Sequence, residues 1–230
     1  MLDEDDDSKV FCKEMFNTRF QQLKRKGGSK YKFILRAGKS LHDALYRLFE
    51  VVWNGEKKPD SWRDTTIIQI WKGKGLKEDL NNKRSLHIKP EIPKFFGHMV
   101  TNQIKPIIVE NISPFQIGAI PGHRAEEHLF TLKSFIMMME KNSSAVSVEL
   151  LDLVKYFDSQ SLVDNMNKLH KGKVRGKLYR LVYELNKDTR IKVRTAVGES
   201  DTRNDPGFFR GRSFELQQSF QWRGRLLCLQ

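Results

Sequence analysis

Cysteine is nearly absent from this 230-residue chain, with Cys12 and Cys228 standing at opposite ends. They show no C-x-x-C spacing and have no histidine cluster beside them, which argues against a zinc site. One disulfide is conceivable, but two free thiols in a reducing compartment fit the pair better. The six histidines, at positions 42, 87, 98, 123, 128 and 170, are scattered and read as surface or packing residues. No run of about 18 apolar residues exists to span a membrane. The opening MLDEDDDSKV is acidic, whereas a secretory leader begins with a basic region. The chain therefore reads as intracellular, in cytoplasm or nucleus, with no signal peptide. It contains no internal repeat.

Acids are also in short supply. Lys and Arg number 41 against 28 Asp and Glu, a formal charge of +13. An excess this large points to an anionic partner, with nucleic acid the first candidate. The plainer alternative is a solvated basic face. The hydrophobic fraction, 39%, suffices for a core, and the length suits one domain or two small ones.

The pattern along the chain is mixed. Residues 1 to 34 are polar and read as an arm, loose or partly helical, with a linker. SLHDALYRLFEVVW, from Ser40, places Leu41, Ala44, Leu45, Leu48, Phe49 and Val52 at helical spacing, with Ser40 and Asp43 as a capping box. TTIIQIW, from Thr65 to Trp71, is β-branched and predicts a strand. A Gly-punctuated basic loop follows. PKFFGHMVTNQI predicts a helix that opens near Pro93 and ends or kinks at Pro106. SPFQIGAIPGHR reads as a loop. AEEHLFTLKSFIMMMEK predicts a helix with Leu129, Leu132, Phe135, Ile136 and Met139 on one face. AVSVELLD predicts a strand. Ser161 and Asp164 cap a helix striped by Leu162, Met166 and Leu169. A further helix carries Leu178, Leu181, Val182 and Leu185. RIKVRT alternates as a half-buried strand with a basic outer face. The fold class expected is α/β, a mixed α+β arrangement.

LLDLVKYFDS, from Leu150 to Ser159, is the stretch that suggests chemistry. An apolar strand running into Asp152 holds a carboxylate rigidly at its end. Nucleotidyl transfer needs divalent metal between carboxylates and a triphosphate. Mg²⁺ takes oxygen ligands and often only one or two protein carboxylates. The turn after the strand offers backbone N–H groups to phosphate oxygens. An aromatic at Phe157 would floor the sugar pocket and leave no room for a 2′-hydroxyl. A strand end with a capping Asp fits the same string.

Four segments give that string a context: WRDTTIIQIWKGKG (62–75), DLNNKRSLHIKPEIPKFFGHMV (79–100), SPFQIGAIPGHRAEEHLF (113–130) and LLDLVKYFDS (150–159). In this order they resemble the fingers and first palm blocks of reverse transcriptases from non-LTR (LINE-type) retrotransposons. The resemblance covers roughly residues 35 to 215. It implies a right-hand polymerase's fingers plus the N-terminal part of its palm, incomplete, with 1–34 as an arm and 216–230 as a basic tail outside the family pattern. It implies RNA-directed DNA polymerase ancestry, with an RNA template, a DNA primer, deoxynucleoside triphosphates and Mg²⁺ as partners. No membrane is implied, and the oligomeric state is left open.

The resemblance also implies roles. Asp152 would be the first metal-binding carboxylate. Phe157 would exclude ribonucleotides, and backbone at Lys155 and Tyr156 would approach the triphosphate. Lys72 and Arg84 resemble the fingers cations that grip nucleotide phosphates. Gln116, Gly118, Gly122 and Gly211 resemble positions lining the template, and Asp158 reads as structural. Plainer readings stand beside these: Lys72 as a solvated lysine, Arg84 paired with Asp79 or Glu78, and Gly118 and Gly122 as turn glycines.

Three departures stand out. Lys83 replaces the usual aromatic of an Asn-x-Arg run. Arg210 replaces the Gln of a Gly-x-x-Gln-Gly block, while Gly207 and Gly211 fit it. No aromatic-x-Asp-Asp block follows Asp205. The expectation is a truncated reverse transcriptase, inactive as this chain. The alternative is a non-catalytic remnant that binds RNA or an RNA–DNA duplex.

Overall fold

A computed structural model describes residues 11–25, 32–118, 120, 122–142, 145–149, 161–195 and 198–204. The helices are α1 (Lys13–Arg25), α2 (Lys32–Arg36), α3 (Lys39–Gly55), α4 (Glu91–Glu110), α5 (Ala125–Lys141), α6 (Leu162–Lys171) and α7 (Gly176–Asn186). The strands are β1 (Asp64–Trp71), β2 (Lys83–Ile88), β3 (Arg190–Arg194) and β4 (Arg203–Asn204). The class is mixed α/β, as the pattern predicts. Among the described residues no helix is long and apolar enough to cross a membrane.

Aromatic side chains from three helices build the centre of the core. Phe49 of α3 lies 5.4 Å, ring centre to ring centre, from both Phe95 and Phe96 of α4. Trp53, Phe49, Phe95 and Phe96 are fully buried, and Phe16 of α1 packs 5.4 Å from Phe95. Aromatic pairs of this geometry contribute about 0.5–1.5 kcal/mol each beyond area burial. Of the two readings of the N-terminal segment, a loose arm or a partly helical one, the structure shows the helix; Phe16 and Leu23 of α1, with Phe11 just before it, join the core. Helices α6 and α7 close the other side through Met166, Leu169, Leu178, Leu181 and Val182. Ser161 caps α6 as expected, its hydroxyl oxygen accepting from the Asp164 N–H at 3.0 Å.

Several local expectations are corrected. Ser40 and Asp43 do not form the cap of α3. Its N-cap is Gly38, whose carbonyl accepts from the Leu41 N–H at 3.1 Å. Leu41 and Ala44 then fall on the exposed side, while Leu45, Phe49, Val52 and Trp53 are buried. Of the two expectations at Pro106, an end or a kink, the end is overturned: helix α4 runs on to Glu110. Proline costs an interior helix about 3 kcal/mol. Here Ile104 and Ile108 are both buried on one face, and Pro106 itself is exposed. Continuing the helix keeps both isoleucines in the core. Residues 145–149 form no ladder; they hold a lone bridge residue at Val148, and the remainder of that expected strand lies outside the described residues. Helix α5 has the expected bounds but buries none of its residues, and Leu129 and Phe130 are exposed.

The sheet order is β2-β1-β3-β4. β1 pairs antiparallel with β2, placing Ile70 opposite Arg84 and Trp71 opposite Lys83. β1 pairs parallel with β3, placing Thr66 beside Lys192 and Ile68 beside Arg194. A parallel neighbour needs a crossover. Here β2 and the helices α4 to α7 lie on the chain between β1 and β3.

Candidate functional site

The β1–β2 hairpin is the best-built part of the expected site. Its loop turns through Gly73 (φ +80°) and Gly75 (φ +70°), a region that favours glycine. The Lys72 N–H donates to the Asn82 carbonyl at 2.8 Å, and the Lys72 ammonium donates to the Asn81 carbonyl at 2.7 Å. Asp79 caps the short 3₁₀ turn Leu80–Asn82 by accepting from the Asn81 N–H at 2.8 Å. The Asn82 amide reaches the Leu76 carbonyl at 3.1 Å and Asp79 Oδ2 at 3.3 Å. A side chain at position 75 would put its Cβ 2.3 Å from that amide nitrogen. A side chain at 75 would therefore have to displace the Asn82 amide.

Arg84 leaves this loop on β2. Side chains directly opposite in a register share a face, so Arg84 stands with Ile70 on the face away from buried Thr65 and Ile67. The same face carries Leu86 beside Ile68 and, from β3, Lys192 and Arg194. Arg84 and Lys192 make no ion pair among the described residues. The expected alternative, Arg84 paired with Asp79 or Glu78, is not observed. Arg194 is held by Glu199 at 2.5 Å. Arg190 is clamped by Asp64 at 2.7 Å and Asp60 at 2.9 Å. The hydrogen bond that Arg190 donates to Asp64, assisted by Asp60, holds its guanidinium more firmly protonated than usual. The basic alternation of RIKVRT was visible in the sequence. Its place beside the hairpin was not, because a parallel pairing across more than a hundred residues leaves no local signal.

The second expected cluster lies between α4 and α5. The Gln116 side chain donates to the Gly118 carbonyl at 3.2 Å. Gly122 adopts φ +89°, so the turn itself requires glycine there. Just beyond, His123 Nδ1 meets Glu127 Oε2 at 2.7 Å, and the Arg124 N–H donates to Glu127 Oε1 at 2.9 Å. The bond to His123, then that from the Arg124 backbone, hold the Glu127 carboxyl below its ordinary range.

Lys72 and Arg84 thus share the hairpin, while Gln116, Gly118 and Gly122 share a separate connection. Asp152, Lys155, Tyr156, Phe157, Asp158 and Gly211 lie outside the described residues, as do Gly207 and Arg210. Among the described residues no group of three or more His, Cys, Asp or Glu is arranged to hold a metal ion. Mg²⁺ therefore rests on the resemblance through Asp152. No protein-family model matches the chain, and no curated protein is significantly similar to it.

Proposed function

We propose that this chain is part of a non-LTR retrotransposon reverse transcriptase, comprising fingers and the first half of the palm. The observation that carries this reading is the placement of both Lys72 and Arg84 at the loop end of one glycine-turned hairpin, within four ordered sequence blocks. Arg84 offers a planar fork suited to phosphate oxygens, and no carboxylate among the described residues occupies it. Lys72 supplies a second charge once its ammonium leaves the Asn81 carbonyl. Asp152 would hold the catalytic metal, and Phe157 would select the deoxy sugar. The intact polymerase would add deoxynucleotides to a primer 3′-hydroxyl on an RNA template, releasing pyrophosphate.

The sequence after Asp205 holds no Asp-Asp pair. This chain by itself is accordingly proposed to bind primer-template without extending it. The unpaired Arg84 and Lys192 on the sheet's outer face favour that binding reading. The test is binding to an RNA–DNA primer-template across a salt series, with primer extension measured in the same samples. Expected are salt-sensitive binding without extension, and a slope of log affinity on log salt that falls by about 1 for each of Lys72→Ala and Arg84→Ala. Template-dependent extension that Asp152→Ala abolishes would overturn the inactivity. Binding unaltered by both hairpin substitutions would overturn the role of the hairpin.

A further inference from the structure

Acids meet some of the cations of the described molecule. Arg63 pairs with Asp60, Lys94 with Glu91, Arg180 with Glu56, Lys187 with Glu184, and Arg194 with Glu199. The turn between α6 and α7 concentrates cations with no acid of its own. KLHKGKVRGK, residues 168–177, carries five lysines and arginines, one histidine and no acid. The side chains of Lys171, Lys173 and Lys177 make no ion pair or hydrogen bond among the described residues. Lys171 and Lys173 are exposed, and Lys177 is half-buried.

The backbone of this turn is well anchored. The Gly172 N–H donates to the Lys168 carbonyl at 2.9 Å, and the Val174 N–H to the Leu169 carbonyl at 3.1 Å. The Arg175 guanidinium donates to the His170 carbonyl. Lys173 occupies the left-handed region, φ +63°, directly after the residue that caps α6. Glycine is the usual residue there, since a Cβ crowds the following carbonyl. A lysine is held where backbone energetics prefer glycine, and it adds a charge to a cluster that already repels itself.

We propose that the α6–α7 turn, through Lys171, Lys173 and Lys177, is a docking surface for the phosphodiester backbone of nucleic acid. Charge complementarity selects this partner. Lysines are flexible point charges that suit a line of phosphates and read no sequence. A lipid surface is disfavoured because the apolar residues of the turn, Leu169, Val174 and Leu178, are all buried in the core and leave nothing to insert. The surface is separate from the hairpin, and it stands on charge placement whether or not the chain descends from a polymerase.

The test uses the full chain and labelled poly(U) across a salt series. Lys171→Gln/Lys173→Gln/Lys177→Gln is expected to lower the slope of log affinity on log salt by about 2, which corresponds to about 100-fold weaker binding at 0.1 M salt. Melting temperature should be unchanged. Lys173→Gly alone gives a separate reading. It should raise the melting temperature by relieving the backbone, yet weaken binding about fivefold at 0.1 M salt. A purely structural role for Lys173 predicts the first effect without the second. Failure of the wild-type chain to bind poly(U) at low salt would overturn the proposal, as would an unchanged slope in both variants. Equal binding of the wild type to phosphatidylserine vesicles, lost in the same variants, would overturn the assignment to nucleic acid.

Discussion

The Lys72 ammonium donates to the main-chain carbonyl of Asn81 at 2.7 Å, tying the end of β1 to the 3₁₀ turn that leads into β2. The cation proposed to meet phosphate is therefore held inside its own loop. Its position depends on Asn82 and Asp79, which keep that turn in shape.

Asn82→Ala should loosen the loop. It removes two side-chain hydrogen bonds, a loss of about 1 kcal/mol at a half-buried site. Amide hydrogen exchange over residues 73–82 should speed up while the helical core stays protected. Gly75→Ala should destabilise by about 1–2 kcal/mol from its left-handed backbone alone, with more from the clash with Asn82. In the double variant that clash disappears, so the two effects should be less than additive in chemical denaturation. Strict additivity would show that the two residues do not constrain one another.

Pro106→Ala should stabilise the protein. Pro106 is exposed within α4, so the change empties no cavity, and alanine restores the missing N–H. A gain of about 1–3 kcal/mol is expected, read as a higher denaturation midpoint. A loss of stability would mean that the proline sets a bend on which the core packing depends.

Phe49→Ala should be among the most damaging single changes. The ring packs against Phe16, Trp62, Phe95 and Phe96 and is fully buried. Truncation of such a side chain costs about 3–5 kcal/mol, much of a domain's net stability. Denaturation should show a large fall, and Phe33→Ala, at an exposed ring, should show little.

The start of α5 should loosen in acid. The Glu127 carboxyl is held below its ordinary value of 4.5 by His123 and the Arg124 N–H. Its contribution is present above that ordinary value and is lost as pH falls through the lowered folded value. Protection of the Arg124 and Glu127 amides, taken relative to their intrinsic exchange rates, should fall over that acid range. Glu127→Gln should abolish this pH dependence locally. Protection that stays constant through the acid range in the wild type would remove the carboxylate from the account.

Periodic segments were legible because the information is local. The stripe Leu162, Met166, Leu169 and the set Leu178, Leu181, Val182, Leu185 each lie on one helical face, and both faces join the core. For the N-terminal segment a partly helical arm is one of the two readings, and the helix is present; what the polar spacing does not show is that Phe16 and Leu23, with Phe11 just before the helix, join the core. β2 went unread because Lys83, Arg84, Ser85 and His87 lack the apolar alternation of a half-buried strand. Its strand state comes from the ladder to β1.

By itself, the sequence determined the mixed class, the basic balance, the glycine turns at 73, 75 and 122, and the sides of α3, α6 and α7 that are apolar. These follow from steric rules and spacing within a few residues. Only the tertiary structure decided that Asp64 meets Arg190 across 126 positions, and that α4 passes through Pro106. It alone decided that Arg84 shares a face with Lys192 while α5 half-buries Leu132, Phe135, Ile136 and Met139 and buries no residue fully. An apolar stripe states that a face prefers burial. Which face is covered, and by which distant strand or helix, depends on hydrogen bonds and packing that no local window contains.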